Sequence, residues 1–264
     1  MTMRRRPFLT LAALVSSGLP GLGVAVQRQS LGDPLRVAVD DAIADSGLAG
    51  ALQRAFAVDT GLAVQVLRGP ASRVLQALEH GEHDAALTNA PSIELPLEKQ
   101  GLVHDRQRVA RSQFVLVGPK PLAKALAGGK DTVLALSRLA QAQAPFLSRH
   151  DGSGTHLAEL DAWRAAQVAP AAPWYRQAQA GMSVLSQAIQ EKACTLAERG
   201  AWEAQPRSRD YVVLSDADPR LVVDVHVMRT FRAKRQHPTG KMFVAWITGP
   251  KGRRVVAGHR GYQA

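Results

Sequence analysis

The chain has 264 residues, 46% of them hydrophobic and 21% charged, with a formal net charge of +11. This is an ordinary globular composition, long enough for one large domain or two small ones with sizeable cores, and it excludes a fibrous or low-complexity protein. A single cysteine, Cys194, excludes an internal disulfide and a zinc cluster built from thiolates.

In chain order, residues 1–26 read as a cleavable signal peptide. Arg4-Arg5-Arg6 is followed by a small, apolar run that Ser16-Ser17-Gly18, Pro20 and Gly21 break too often for a membrane-spanning helix. Arg5-Arg6-Pro7-Phe8-Leu9 fits a twin-arginine signal, with a general secretory signal as the alternative. Either one predicts a soluble periplasmic product. Without residues 1–25, 30 basic residues stand against 22 acidic ones, a charge of +8. Apart from Arg229–Arg235 and Lys251–Arg260 the cations are scattered, so the surface is expected to attract small anions and not nucleic acid.

Leu35–Val39 reads as a strand, followed by a helix with Leu48, Leu52 and Phe56 on one face. A second strand at Leu62–Leu67, a helix marked by Val74, Leu75 and Leu78, and a third strand at Ala85–Thr88 complete a βαβαβ half. Further on, strands are predicted at Phe114–Val117, Ala193–Leu196, Tyr211–Leu214 and Leu221–Met228. Helices are predicted over Lys130–Gln143 and Met182–Glu191, and around Met242, Phe243 and Trp246. The alternation predicts an α/β protein of two β/α lobes with central sheets, joined by a two-strand hinge near 109–118 and 220–228. Lobe I is expected to take in 34–112 and 222–264, and lobe II 113–221.

The central piece is Pro145–His156, P-F-L-S-R-H-D-G-S-G-T-H. A short apolar strand empties into a glycine-bearing turn and then a helix, with Thr155 expected as its N-cap. Such a turn leaves backbone N–H groups aimed at one spot, and Arg149 stands at its mouth, which together suit a small tetrahedral anion. The plain alternative is that Arg149 pairs with Asp151 or Glu159 and the turn only caps a helix. Asp40 with Asp41, at a strand end where α/β sheets bind ligands, is a second candidate, against simple helix capping.

Other clusters give weaker signals. Gly152-Ser153-Gly154 lacks the outer glycines of a nucleophile elbow, and neither Gly129-Lys130-Asp131 nor Gly240-Lys241-Met242 has the hydroxyl of a phosphate-binding loop. His80 and His83 among Glu79, Glu82 and Asp84 read as a solvated helix end rather than a metal site.

Several motifs resemble the tungstate-binding solute receptors of ABC importers, of the periplasmic binding protein superfamily. They are D-S-G-L (Asp45–Leu48), H-D-A-A-L-T-N-A-P (His83–Pro91), F-V-L-V-G-P (Phe114–Pro119), A-P-F-L-S-R-H-D-G-S-G-T-H (Ala144–His156), W-Y (Trp174-Tyr175), Q-A-G-M (Gln179–Met182) and T-L-A-E-R-G-A-W (Thr195–Trp202). The resemblance implies a two-lobed, non-enzymatic fold of the periplasmic binding type, needing no cofactor and acting as a monomer. It implies an oxyanion ligand such as tungstate or molybdate, held by Arg149, Thr155, Gly154 and Ser153 from one lobe and by the loops bearing Asp40, Asp41 and Ser72 from the other, with Gly181 beside them. It also implies an ABC permease in the inner membrane as partner, and a closed state favoured by ligand.

The chain departs from that pattern where the family carries T-T-T-S before D-S-G-L. Here the residues are Val39-Asp40-Asp41-Ala42, and Gly69-Pro70-Ala71 leaves Ser72 as the nearest hydroxyl after the second strand. A carboxylate 4 Å from a unit negative charge costs about 4 kcal/mol at an effective dielectric of 20. The alternatives left open are a zwitterion or cation gripped between Arg149 and Asp40 or Asp41, and a receptor that signals or scaffolds without transport.

Overall fold

The computed structural model describes residues 30–126, 131–179, 182–206, 208–230 and 236–264. The expected signal peptide and Gly181 lie outside the described residues. Strand β1 (Leu35–Asp40), the short helix α1 (Asp41–Asp45), α2 (Leu48–Thr60), β2 (Val64–Gly69), α3 (Ala71–Glu79) and β3 (Ala85–Thr88) form the expected βαβαβ unit. β1 lies between β2 and β3 and is parallel to both. Its apolar run and the wholly buried β3 reflect a parallel sheet covered on both faces.

The chain continues through α4 (Pro91–Lys99), β4 (Val103–Pro119), α5 (Lys120–Ala125), α6 (Thr132–Gln141), β5 (Phe146–Ser148) and α7 (Gly154–Ala165). Then come β6 (Tyr175–Gln177), α8 (Val184–Gln190), β7 (Thr195–Glu198), α9 (Arg199–Ala204), β8 (Tyr211–Ser215), β9 (Val222–Thr230), α10 (Gly240–Thr248) and α11 (Pro250–Ala257). The large sheet has the order β2-β1-β3-β9-β4-β7, with β8 also paired to β4, and β5 pairs in parallel with β6. β4 serves both halves: Val103–Gln113 runs antiparallel to β9, whereas Phe114–Val117 pairs with β7 and Leu116–Pro119 with β8. Two strands therefore carry the chain between two β/α assemblies, a mixed α/β fold curled about a two-strand hinge.

β4 is far longer than the apolar run Phe114–Val117 suggested. Its first half carries His104, Asp105, Arg106, Arg108 and Arg111, which hide the strand from a hydrophobicity pattern. Those charges are matched: Arg106 reaches the buried Glu94 at 3.0 Å, Arg111 reaches Asp224 at 3.0 Å, and Arg229 pairs with Asp105. α4, with Pro91 at its first turn and Pro96 inside it, was also invisible to periodicity. The helix expected over Lys130–Gln143 is shorter, because Asp131 caps it by accepting from Leu134 N at 3.0 Å.

Apolar packing follows the two assemblies. Leu35, Leu52, Phe56, Val109, Val225 and Phe243 belong to one core cluster, with Phe56 edge-on to Phe243 at 5.2 Å. Phe114, Leu136, Phe146, Trp163, Leu196 and Val223 belong to another. A polar knot joins them on one side. The Tyr262 hydroxyl lies 2.8 Å from Glu198 Oε2 and 3.0 Å from Ser46 Oγ, and Ser112 donates to the other Glu198 oxygen.

Glu198 is 1% exposed, and burial raises its pKa from 4.5 to about 7 against the hydrogen bonds from Ser112 and Tyr262. The folded protein thus holds this proton more tightly than the unfolded chain does. The resulting stability is complete below about pH 4.5 and is lost as pH rises through about 7. We expect urea midpoints to fall between pH 5 and pH 8, and Glu198→Gln to remove a part of that fall worth up to about 3 kcal/mol.

Candidate functional site

The carboxyl ends of β1, β2 and β3 meet the turn between β5 and α7, and every expected site residue among the described ones lies along this seam. Sheet-edge placement is where an α/β fold leaves a crevice. At its centre is Asp40, the last residue of β1, which is fully buried. Its Oδ1 accepts from Ala42 N at 2.9 Å, making it the N-cap of α1. Its Oδ2 accepts from Ala71 N, at the start of α3, at 3.0 Å, and from Gly154 N, at the start of α7, at 3.1 Å. Backbone donors from both assemblies therefore converge on one oxygen, the arrangement helix starts present to anions. Burial raises the Asp40 pKa to about 6, outweighing the opposing pull of Arg149 and of the backbone donors.

The β5–α7 turn is held by its own polar contacts. Arg149 Nε and Nη2 donate to Asp151 Oδ2 at 3.0 and 2.9 Å, while Asp151 Oδ1 accepts from Ser153 N at 2.9 Å. Of the two partners considered for Arg149, its side chain takes Asp151. Glu159, 1% exposed, instead accepts from Tyr175 Oη at 2.7 Å and from the Arg149 backbone, and so supports the turn from beneath. Burial opposes the Arg149 charge, but Asp151 and Asp40 keep its pKa above the ordinary value. Arg149 is a fixed cation.

The N-cap of α7 is Ser153, not Thr155: the Ser153 hydroxyl accepts from His156 N at 3.2 Å. A cap must precede the first helical residue with extended backbone, and Gly154 is already helical. That shift leaves the Thr155 hydroxyl, on a residue 1% exposed, with no hydrogen-bond partner among the described residues. Asn89, directly after β3, is equally buried, and both its amide atoms lack partners among the described residues. The Asn89 side chain packs against Gly154, where a Cβ would fall 2.0 Å from Asn89 Oδ1. Asn89 is not among the expected site residues, although its place just beyond a buried strand is a usable signal.

Ser72 enters through its backbone, donating N–H to Gly152 O at 3.1 Å across the seam. Asp41 turns away from Asp40 toward Arg68 at 3.6 Å, and burial raises its pKa despite Arg68. Arg68 also pairs with Asp45. Beside the turn lies a cavity of about 590 Å³ whose charged lining includes Asp41, Asp45, Arg68, Arg73, Arg149 and Asp151. A second cavity of about 320 Å³ is lined by Asn89, Gly154 and apolar residues such as Leu157, Ala162 and Val223. The seam holds backbone donors engaged by Asp40, the Arg149 guanidinium engaged by Asp151, and a hydroxyl and an amide without partners among the described residues.

Comparison with known proteins gives a consistent picture. The profile of a PBP superfamily domain matches residues 25–251. The tungstate-binding protein TupA of Peptoclostridium acidaminophilum is 28% identical over 237 residues, 88% of this chain and 83% of that protein. TupA of Campylobacter jejuni is 25% identical over 222 residues, 81% of this chain and 82% of that protein. The crystal structure of the tungstate ABC transporter from Geobacter sulfurreducens is 29% identical, with a TM-score of 0.76, and the match covers 87% of this chain and 100% of that one.

Proposed function

This chain belongs to the PBP superfamily, and from that membership we propose that it is the solute-binding receptor of an ABC importer, taking up a small oxyanion of the tungstate and molybdate kind. Relatives named for tungstate binding support the ligand class. The observation that carries the reading is the convergence of Ala71 N, Gly154 N and the Arg149 guanidinium on one buried seam. In this reading lobe II, 113–221, contributes Arg149, Ser153, Gly154 and Thr155. Lobe I, 34–112 and 222–264, contributes Asp40, Asp41 and Ser72. The receptor performs no chemistry and needs no cofactor. It works as a monomer in the periplasm, reaches it through the signal peptide 1–26, and hands the anion to an inner-membrane permease.

The hydrogen-bonding chemistry fits the role. Oxygens of an oxyanion accept from backbone N–H groups and a guanidinium without a proton being needed from the protein, and charge-assisted bonds of this kind are worth about 1.5–3 kcal/mol each. A panel of tungstate, molybdate, sulfate and phosphate should therefore raise the unfolding temperature selectively. A ligand at 100 times its dissociation constant adds about 2.7 kcal/mol. No shift with any oxyanion at millimolar concentration would overturn the receptor reading.

A further inference from the structure

An anion already sits among the donors, and it belongs to the protein. Asp40 holds Ala42 N, Ala71 N and Gly154 N at 2.9, 3.0 and 3.1 Å, and is fully buried. Next to it, the Thr155 hydroxyl and both amide atoms of Asn89 have no partner among the described residues, and each residue is 99% buried by its 1% exposure. The Asn89 amide packs on Gly154, whose N–H is one of the Asp40 donors, so the seam holds hydrogen-bonding capacity that the carboxylate does not use. A second full negative charge, however, meets the first at close range in a place that water does not reach.

We propose, on the basis of the receptor reading, that Asp40 is the specificity-determining residue of this site: an oxyanion enters only as the Asp40 carboxylate takes one proton from solvent, so that one proton is bound with each ion. Two like charges in one buried nest titrate as a pair, and the easier proton acceptor is the group that burial already disfavours as an anion. The raised Asp40 pKa, about 6 and caused by burial, agrees with this. The elements around Asp40 carry Asp41 and Asp45 on α1, Arg68 on β2, Arg73 on α3, Arg149 and Asp151 in the β5–α7 turn, His156 on α7, Glu198 before α9 and Tyr262 near the C-terminus. Arg149 favours the ionised form and Asp151 the protonated one. Burial lowers the pKa of His156 against the opposing pull of Asp151.

The test is titration calorimetry of the mature receptor with micromolar molybdate from pH 5.5 to 8.5, in buffers of differing ionisation heat. Above about pH 6 the wild-type affinity should fall about tenfold per pH unit, with close to one proton taken up per ion at pH 8. Asp40→Asn should bind without that slope or proton uptake, and about tenfold or more tighter than wild type at pH 8. Asp40→Ser should behave alike, which covers the case in which the new amide opposes the backbone donors. A wild-type affinity independent of pH overturns the proposal. So does a slope kept by both variants, which would place the proton on the ion. Binding by none of the proteins overturns both this proposal and the receptor reading, whereas binding without a slope overturns this one alone.

Discussion

Replacing Arg149 by alanine is expected to weaken oxyanion binding by about 2–4 kcal/mol, roughly thirty- to a thousandfold. The side chain lies mostly buried, 13% exposed, with two of its N–H groups on Asp151 Oδ2. Removing it takes away the fixed cation of the seam and leaves Asp151 with only the Ser153 N–H, so the site gains uncompensated negative charge. Arg149→Lys should recover only part of the loss, because an ammonium cannot hold Asp151 through two parallel bonds and reach a ligand as well. Asp151→Asn separates the two effects: it keeps Arg149 but loosens its aim, and a loss of about tenfold is expected there. Calorimetry on the three variants with molybdate checks the order. An Arg149→Ala receptor that binds as tightly as wild type would place the ligand away from Arg149.

The elements legible in the sequence were those whose side chains carry a period. Ala85–Thr88 is wholly apolar and appears at the expected residues. The helix with Leu48, Leu52 and Phe56 buries those three positions. The first half of β4 was not legible because its charged residues are matched by Glu94 on α4 and, across the sheet, by Asp224 and Arg229, the last two lying far off in sequence. The same holds for the site. Arg149 and the turn at Gly152–Gly154 announce themselves by residue type. The resemblance also pointed to Asp40 and Asp41 as the places where hydroxyls were missing. What residue types could not give was the direction of each carboxylate: Asp40 turns inward onto Ala71 N and Gly154 N, while Asp41 turns toward Arg68. Both donors are backbone N–H groups, which no side-chain pattern encodes. Thr155 was misplaced as the cap because Ser153 and Thr155 are both good capping residues, and only the backbone conformation at Ser153 separates them.

Gly154→Ala is expected to hold the cleft open. A Cβ there would stand 2.0 Å from Asn89 Oδ1 and 2.8 Å from the Asn89 carbonyl oxygen. The amide could swing aside, but the carbonyl is fixed at the end of β3, so α7 must withdraw from the sheet edge. The Gly154 N–H bond to Asp40 at 3.1 Å and the neighbouring contact of Ser72 N with Gly152 O at 3.1 Å would be lost with it. Within α7 itself alanine is the better residue, by about 1 kcal/mol over glycine in a helix interior. The substitution therefore leaves the helix intact and acts on closure. Oxyanion affinity should fall by about a hundredfold, since a buried charge-assisted hydrogen bond of about 1.5–3 kcal/mol goes and the donors on the two sides no longer meet. The radius of gyration should rise in solution scattering while the circular dichroism spectrum stays as in wild type. An unchanged scattering curve together with wild-type affinity would show that the two halves do not close on Gly154.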